Sequence, residues 1–296
     1  MELDPQTPEF TIAIEGIEAL AWASLAGNKT EPVRDERGTA TGLALFHGSP
    51  HPLTNRIVRL GLGRPAHPDG LDSIIEKYDA AGATTICVPL APTARPSTLP
   101  RLLRERGFRP AIKEAKLYRS TINPPPKDAL IRVVTATEDD HDAILSLYRT
   151  AGMDHGWAEI AATNLTSPLW KCYLAMEGSK PVALATMLVS DGFAWFTPGW
   201  TLPEYRRRGH QRALMAHRIA AAGELGCGWV SANLDVTDDA GSTIRSYTPM
   251  GFTMRSYTRH GFKVLYMRTT YVRVRDGTAL PDALSRHLMM PPVSGI

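Results

Sequence analysis

The sequence predicts an α+β fold made of two tandem domains, each with a mixed, mostly antiparallel sheet flanked by helices. The main support is an internal repeat at an offset of 144 residues. The repeat aligns Gly82 with Gly226, Leu90 with Leu234, Gly107 with Gly251 and Phe108 with Phe252. Both halves also predict one order of elements: helix, glycine, strand, loop, helix, Gly-Phe and strand. Four matches at one offset in the same element order indicate a duplication.

The proline-rich segment 123–127 separates the two copies, because three consecutive prolines hold the backbone in an extended spacer. We therefore predict a first domain at residues 1–122, a linker at 123–127, a second domain at 128–275 and a tail at 276–296. At 296 residues the chain is long enough for two hydrophobic cores.

The individual elements follow from hydrophobic periodicity. In the first half, Leu71–Ala81 predicts a helix and Thr84–Leu90 predicts a strand. In the second half, Arg212–Leu225 predicts a helix and Gly228–Val236 predicts a strand. Nearer the N-terminus, residues 29–41 are predicted to form a polar loop.

The composition is that of a soluble globular protein, with 43% hydrophobic residues, 21% charged residues and a net charge of +3. The chain has no apolar run of the roughly 18 residues that a membrane helix needs. Its acidic start, Met1–Asp4, lacks the positive region of a secretory signal. We expect a cytoplasmic protein that does not enter a membrane. The three cysteines and nine histidines are scattered without metal-ligand spacing, so we predict no metal.

The stretch Thr201–Leu214 leads from a predicted strand, Phe193–Trp200, into a helix that begins near Gly209. The first N–H groups of a helix have no internal partner, and the helix dipole adds roughly half a positive charge there. Four arginines add formal charge to the same turn: Arg206, Arg207, Arg208 and Arg212. Such helix starts bind phosphate groups, so the stretch predicts a site for a phosphate-bearing ligand.

A second motif follows this turn, because Tyr247 lies four residues before the pair Gly251 and Phe252. Together with Arg206 and Gly209, it resembles the GNAT superfamily of acyl-CoA-dependent N-acyltransferases. The loop of that family reads R/Q-x-x-G-x-G/A before the later tyrosine and Gly-Phe. The resemblance implies a tandem GNAT protein whose second copy is catalytic.

The resemblance extends over residues 131–274 at the level of the fold, with two departures inside it. The loop ends in Gln211 where the family has Gly or Ala, and this side chain would crowd a pyrophosphate or donate a hydrogen bond to it. Seven residues before Tyr247 the family often has Asn, whereas this chain has Ala240. One customary contact near the cofactor is therefore absent.

The first half lacks both motifs at the aligned positions. Gly209 aligns with Pro65, in a segment whose prolines have no N–H to offer a phosphate. Tyr247 aligns with Leu103. We therefore interpret the first copy as degenerate, with a structural or substrate-shaping role.

The resemblance implies acetyl-CoA or another acyl-CoA as co-substrate, bound at the strand end and the loop of the second copy. The implied cofactor-binding residues are Trp200, Thr201, Leu202, Arg206, Arg207, Arg208, Gly209, His210, Gln211, Arg212 and Ala213. A backbone N–H near Gly199–Leu202 would stabilise the oxyanion that forms at the thioester carbonyl.

For the acid, the resemblance implies Tyr247, since a phenol with a pKa of about 10 can protonate a leaving thiolate at neutral pH. The alternative is a structural Tyr247 packed beneath the helix. A similar stretch at residues 255–258 places Tyr257 before a second Gly-Phe pair. We assign catalysis to Tyr247, whose spacing from Gly209 matches the family, and this leaves Tyr257 on a final β-hairpin.

The base is left open. Alternation along the strand 229–236 places Asn233 and Asp235 on one face, so either can face the reacting centre. His155, beside Asp154 in a predicted substrate-binding segment, is a third candidate. A chain of water molecules is a fourth.

The segment 243–275 contains seven Lys or Arg residues and no acidic residue. One interpretation is solvated strand faces and ion pairs with acids elsewhere. The other is a surface for a large anion, such as an acyl carrier protein or a tRNA.

We predict an N-acyltransferase that moves an acyl group, most simply acetyl, from acyl-CoA to an amine of a small molecule or peptide. The first alternative is acyl or aminoacyl transfer from a carrier protein or an aminoacyl-tRNA. The second is an acyl-CoA-binding protein without catalysis. Trp157, Trp170 and Trp195 belong either to an aromatic acceptor cleft or to the core.

Overall fold

The computed structural model describes residues 3–25, 28–48, 54–151, 155–197, 199–235 and 254–275. Tyr247, Ala240, the pair Gly251 and Phe252, and the tail 276–296 lie outside the described residues. For His155 and Asp235 the description is limited to the backbone.

Helices occur in both halves of the described chain. They are α1 (Pro8–Ala23), α2 (Pro68–Ala80), α3 (Leu99–Glu105), α4 (His141–Ala151), α5 (His155–Thr163), α6 (His210–Glu224) and α7 (Met254–Arg259). Short 3-10 turns lie at Glu138–Asp140, Asn164–Thr166 and Pro203–Tyr205.

Strands also occur in both halves of the described chain. They are β1 (Lys29–Arg34), β2 (Ala40–Phe46), β3 (Arg56–Val58), β4 (Thr85–Leu90), β5 (Arg109–Ser120), β6 (Arg132–Thr135), β7 (Trp170–Glu177), β8 (Lys180–Ser190), β9 (Phe193–Phe196), β10 (Trp200–Thr201), β11 (Trp229–Asp235) and β12 (Lys263–Val274).

The chain divides into two compact units, and the division passes through β5 and β12. The larger unit contains α1 together with the described residues from 115 to 266. The smaller unit contains the described residues from 28 to 114 and from 267 to 275. The domain boundaries of the sequence analysis stay a prediction. The units differ from them most clearly at α1, which belongs to the larger unit.

In the larger unit the strands lie in the order β5, β11, β9, β8, β7, β6, with β10 paired to β8. The pairs from β6 to β9 are antiparallel, whereas β11 runs parallel to β9. Apolar residues of α6, including Leu214 and Ile219, pack with Val230, Ala232 and Leu234 of β11 in one core. The predicted alternation along β11 is confirmed for these three residues.

The other face of the same sheet is covered by α4 and α1. Residues Ile144 and Leu147 of α4 pack with Leu174 and Leu184 of the sheet. Helix α1 packs on β9 and β8. Phe10 of α1 lies with its ring centroid 6.1 Å from that of Phe193 and 5.1 Å from that of Trp229.

In the smaller unit the order is β1, β2, β3, β4, β12, with β3 parallel to β4 and the other described pairs antiparallel. Its core is centred on Tyr78 of α2, whose buried hydroxyl donates towards the carbonyls of Leu45 at 2.9 Å and Arg56 at 2.7 Å. Each unit therefore has a mostly antiparallel sheet with a parallel pair near its centre, flanked by helices. This confirms the predicted fold class.

The predicted polar loop at residues 29–41 is wrong, because β1 and β2 form a hairpin there. Asp35 organises the turn by accepting hydrogen bonds from the backbone N–H groups of Arg37 and Thr39. The strand is hard to recognise from sequence because β1 is an edge strand that carries charged residues and Pro32.

Candidate functional site

The predicted strand Phe193–Trp200 is interrupted by a bulge. Phe196 of β9 pairs with Met187 of β8, and Trp200 of β10 pairs with Leu184 of β8. Between these two pairs, residues 197–199 lie opposite only residues 185–186 of β8, and one extra residue of this kind defines a β-bulge. The parallel pairing of β9 with β11 ends at Phe196 opposite Ala232. Asn233 continues β11 beyond this last pair.

Arg218 of α6 holds the bulge from below. Its guanidinium is buried and donates from Nη1 to the carbonyls of Thr186 at 2.8 Å and Thr197 at 2.9 Å. The guanidinium carbon lies 4.3 Å from the ring centroid of Phe196. Burial lowers the pKa of Arg218 to about 10, so the side chain still carries its charge at neutral pH. An arginine in the apolar stripe of α6, four residues after Leu214, is the sequence signal for this role.

Helix α6 begins directly after Gly209, which has a φ of 93°. This left-handed conformation favours glycine. A Cβ at the same position would come within 3.3 Å of Cδ1 of Ile131. The N–H of Ala213 donates to the Gly209 carbonyl at 3.0 Å and opens the helical ladder. The N–H groups of residues 210–212 therefore have no hydrogen-bond acceptor within the helix, and such free N–H groups are what an anion binds at a helix start.

The arginines of the turn have separate roles. Arg206 donates from Nε to the carbonyl of Thr201 at 3.3 Å, and Arg212 forms an ion pair with Asp128 at 2.8 Å. Arg208 lies over the ring of Tyr205, with 5.1 Å to the centroid. Arg207 and Arg208 are both exposed, so their charge is accessible to a ligand at the helix start.

Gln211 turns its side chain onto the end of the strand. Its Nε2 donates to the carbonyl of Trp200 at 2.7 Å and to Oγ1 of Thr201 at 2.8 Å. A Cβ on Gly199 would lie 1.9 Å from Oε1 of Gln211, so the glycine provides the space for this amide. The residue that departs from the family pattern thus ties β10 to α6.

His210 anchors the same turn from inside. The ring is buried, with Nδ1 3.1 Å from the carbonyl of Tyr205 and Nε2 2.9 Å from Oε1 of Glu177. Of the other predicted cofactor residues, Trp200, Leu202 and Ala213 are buried.

Asn233 lies on the face of the sheet opposite α6, where its side chain contacts helix α1. Its Nδ2 donates at 2.8 Å to Oε1 of Glu18 on helix α1. Glu18 and Glu15 are nine-tenths or more buried, and Lys116 of β5 forms ion pairs with both. Tyr266 donates its hydroxyl to Glu15. The predicted role of Asn233 as a base stays a prediction.

Glu15 and Glu18 were missed as site residues. The signal in the sequence is a pair of acids three residues apart on the helix face that also buries Ile14 and Trp22. Their partners come from strands about 100 and 215 positions further along the chain, as the separations of the Lys116 and Asn233 contacts show.

Tyr257 was predicted on a final β-hairpin, and this is wrong because it lies in helix α7. It is buried, and burial raises the pKa of its phenol while the Arg218 charge opposes the shift. The spacing from Gly209 assigned the family motif to Tyr247 and left Tyr257 for the hairpin, whereas residues 254–259 form a helix. The roles of Tyr247, Asp235 and His155 stay predictions.

Two arginines of the segment 243–275 are committed to ion pairs. Arg268 is buried and donates from Nε to Glu114 at 3.1 Å. Arg273 forms two bonds with Asp79, of 2.7 and 3.0 Å, and this contact lowers the pKa of that carboxyl. These side chains follow the first interpretation of the segment, ion pairing with acids elsewhere.

Trp170 and Trp195 are both buried, with ring centroids 6.5 Å apart. Within the described ranges, no helix is long and apolar enough to cross a membrane. The same ranges contain no group of three or more His, Cys, Asp or Glu residues arranged to bind a metal ion.

Residues 132–252 match the model of the acetyltransferase (GNAT) family. The match covers the bulged strand, α6, β11 and the position of Tyr247. No protein of curated function matches the chain.

Solved structures share the fold over most of the chain. A GCN5-related N-acetyltransferase from Kribbella flavida is 16% identical with a TM-score of 0.62, covering 88% of this chain and 94% of its own. A GCN5-related N-acetyltransferase from Sphaerobacter thermophilus is 18% identical with a TM-score of 0.59, covering 89% and 87%. A tandem GNAT protein from the clavulanic acid biosynthesis pathway is 13% identical with a TM-score of 0.56, covering 93% and 97%.

Proposed function

We propose that the GNAT domain transfers an acyl group, most simply acetyl, from acyl-CoA to the amine of a small molecule or peptide. The observation that carries the proposal is the start of α6. Gly209 has a φ of 93°, and the first N–H groups of the helix after it have no acceptor within the helix. Arg207 and Arg208, which directly precede this turn, are exposed. This is the chemistry that a pyrophosphate needs.

The residues at this turn fit acyl-CoA. A side chain at Gly209 would occupy space beside Ile131, so its absence leaves the helix start accessible. The amides of residues 210–212 would donate to the pyrophosphate, and Trp200–Leu202 would line the pantetheine arm. An open pocket of about 320 Å³ adjoins the first turns of α6, and its lining includes Lys127, Asp128 and Arg132. Asp128 is paired with Arg212, so the two cations would suit the phosphate-rich nucleotide end.

Acyl-CoA, when bound, supplies a thioester carbonyl that is activated towards an amine. The chain then has to bind the developing oxyanion and move two protons. The backbone around the bulge, held by Arg218, is the candidate oxyanion donor. Tyr247 is the candidate acid for the thiolate, and the candidates for the base remain Asn233, Asp235, His155 and a chain of water molecules.

The test is calorimetric binding of CoA and acetyl-CoA to the full-length protein, its Arg208→Glu variant and its Arg64→Glu variant. Arg64 is the exposed residue that the repeat aligns with Arg208 in the first half. We expect saturable binding that weakens about tenfold in Arg208→Glu, since a charged hydrogen bond is lost and a repulsion is gained. Arg64→Glu should bind as the wild type does. A wild-type protein that binds neither compound would overturn the proposal.

A further inference from the structure

Helix α1 covers a row of polar side chains on the face of the sheet opposite α6. Trp195 of β9 and Ser231 of β11 are register partners, and Asn233 follows on the same face of β11. The face is identified by two contacts with α1. The ring centroids of Trp22 and Trp195 are 6.4 Å apart, and Asn233 donates to Glu18.

Each of these three side chains has a polar atom without a hydrogen-bond partner among the described residues. The atoms are Nε1 of Trp195, Oγ of Ser231 and Oδ1 of Asn233. The residues are 8%, 0% and 6% exposed, so all are more than nine-tenths buried. Buried polar groups are rarely left unpaired in native proteins, because a buried donor or acceptor without a partner loses the hydrogen bonds that it makes to water in the unfolded chain. Three such atoms on adjacent residues therefore indicate a site that a polar ligand completes.

The chemistry of the ligand follows from what the atoms can accept and donate. Oδ1 of Asn233 is an amide oxygen and can only accept a hydrogen bond. The bond from Nδ2 to Glu18 fixes the orientation of the amide. Ser231 Oγ can accept as well. Trp195 Nε1 only donates. The neighbouring carboxylate of Glu18 attracts a cation, and the Trp195 ring offers an apolar wall.

We propose that this row, Trp195, Ser231 and Asn233 beneath α1, binds the acceptor as an amino alcohol. Its ammonium group donates to Asn233 Oδ1 and Ser231 Oγ near Glu18, and its hydroxyl oxygen accepts from Trp195 Nε1. The inference rests on the proposed function, because it names the acceptor class of the same domain. Asn233 lies just beyond the last pair of β9 and β11, which connects the row to the end of the strands where the bulge lies.

Glu18 is a positioning residue in this site. Its bond to Nδ2 of Asn233 points Oδ1 towards the ligand, and Lys116 holds the carboxylate in turn. The site therefore depends on a helix from the first 23 residues of the chain, although the matched family domain begins at residue 132.

The experiment is calorimetric titration of phenylethanolamine into the full-length protein without CoA. Two matched compounds each lack one group: phenethylamine has no hydroxyl and styrene glycol has no amine. We expect phenylethanolamine to bind more tightly than either, by about fivefold to tenfold for each missing hydrogen bond. Styrene glycol should be the weakest because it also loses the attraction of Glu18.

The variant Trp195→Phe separates recognition from folding, since it removes Nε1 but keeps an aromatic ring. It should weaken phenylethanolamine about fivefold and leave phenethylamine unchanged. Ser231→Ala should weaken both amines. CoA binding, measured on each variant, reports an intact domain.

Equal affinity of the wild type for all three compounds would overturn the inference, and so would an equal loss of both amines in Trp195→Phe. If CoA binds and the amines do not, the acceptor inference fails while the acyl-CoA proposal stands. If the amines bind with the expected pattern and CoA does not, the acceptor site stands and the acyl-CoA proposal fails.

Discussion

The two helix starts that the repeat aligns, α2 in the smaller unit and α6 in the larger unit, differ in what faces their first amides. At α2 the N–H of Ala66 donates to the carbonyl of Arg95 at 2.8 Å, and Pro68 has no N–H. A Cβ on Gly70 would lie 2.0 Å from the carbonyl oxygen of Arg34. The chain's own carbonyls therefore occupy the place where a phosphate would bind.

The charged residues near the two helix starts also differ, in a way that disfavours phosphate binding at α2 and favours it at α6. Helix α2 begins with Asp69 in its first turn, and Glu36 lies 2.7 Å from the ring of His67. Helix α6 begins with no acid in its first turn and follows exposed arginines. If α6 binds a phosphate as proposed, the occupied amides and the reversed charge at α2 would explain why the first copy does not, although it keeps the helix.

The largest expected effect concerns the tyrosine that the first copy lacks. Tyr247→Phe should lower kcat by about 100-fold, because the thiolate loses its proton donor. The measurement is release of free thiol from acetyl-CoA with an amine that screening shows to be accepted. Tyr257→Phe is the matched control, and its kcat should stay within about threefold of the wild type. The opposite result would make Tyr257 the acid and the repeat alignment wrong.

The second prediction concerns residues 61–66 of the smaller unit, the loop before α2 that the carbonyl of Arg95 contacts. Gly61 has a φ of 74°, and a Cβ there would lie 2.3 Å from the carbonyl oxygen of Arg95. Gly61→Ala should lower the free energy of unfolding by about 3 kcal/mol, from backbone strain and overpacking together. Urea denaturation measures this.

The matched control for Gly61 is Gly38→Ala, where φ is 75° and nothing lies within 4 Å of a Cβ. It should cost only about 1 kcal/mol from the backbone conformation. CoA binding should be unchanged in both variants. Equal stability losses would show that the loop is not packed as described, and weaker CoA binding in Gly61→Ala would place ligand in the first copy.

The smallest expected effect is at the open loop. Gly209→Ala should weaken CoA about tenfold in calorimetry, since the left-handed conformation costs a non-glycine residue roughly 1–2 kcal/mol. Gly226→Ala, at the other end of α6 with a φ of 83°, carries a similar strain away from the loop and should leave CoA affinity unchanged. Equal effects of the two variants would mean that the loop conformation does not matter for binding.

Features set by local sequence could be predicted, and those set by distant contacts could not. The glycine of α6, the arginines of the turn and the prolines of the first copy are readable because they act within one turn of chain. The carbonyl of Arg95 that occupies the first loop comes from about 30 positions away, and sequence spacing does not reveal it.

The candidate acceptor site shows the same limit. Alternation along β11 predicts that Asn233 lies on the same face as Ser231. It does not predict Glu18, the partner that orients the amide of Asn233. Glu18 reaches Asn233 only because α1 belongs to the larger unit. From its sequence position, Gln211 would either crowd a pyrophosphate or donate to it. The structure shows a third arrangement, in which its amide donates hydrogen bonds to Trp200 and Thr201 of the strand.

If the proposal is correct, the start of α6 binds CoA and the aligned start of α2 does not. Hydrogen–deuterium exchange of the full-length protein, with and without CoA, tests both loops in one sample. We predict slower exchange in peptides that cover residues 206–213 and no change in peptides that cover residues 61–70. Slower exchange at 61–70, or no change at 206–213 under saturating CoA, would contradict the account.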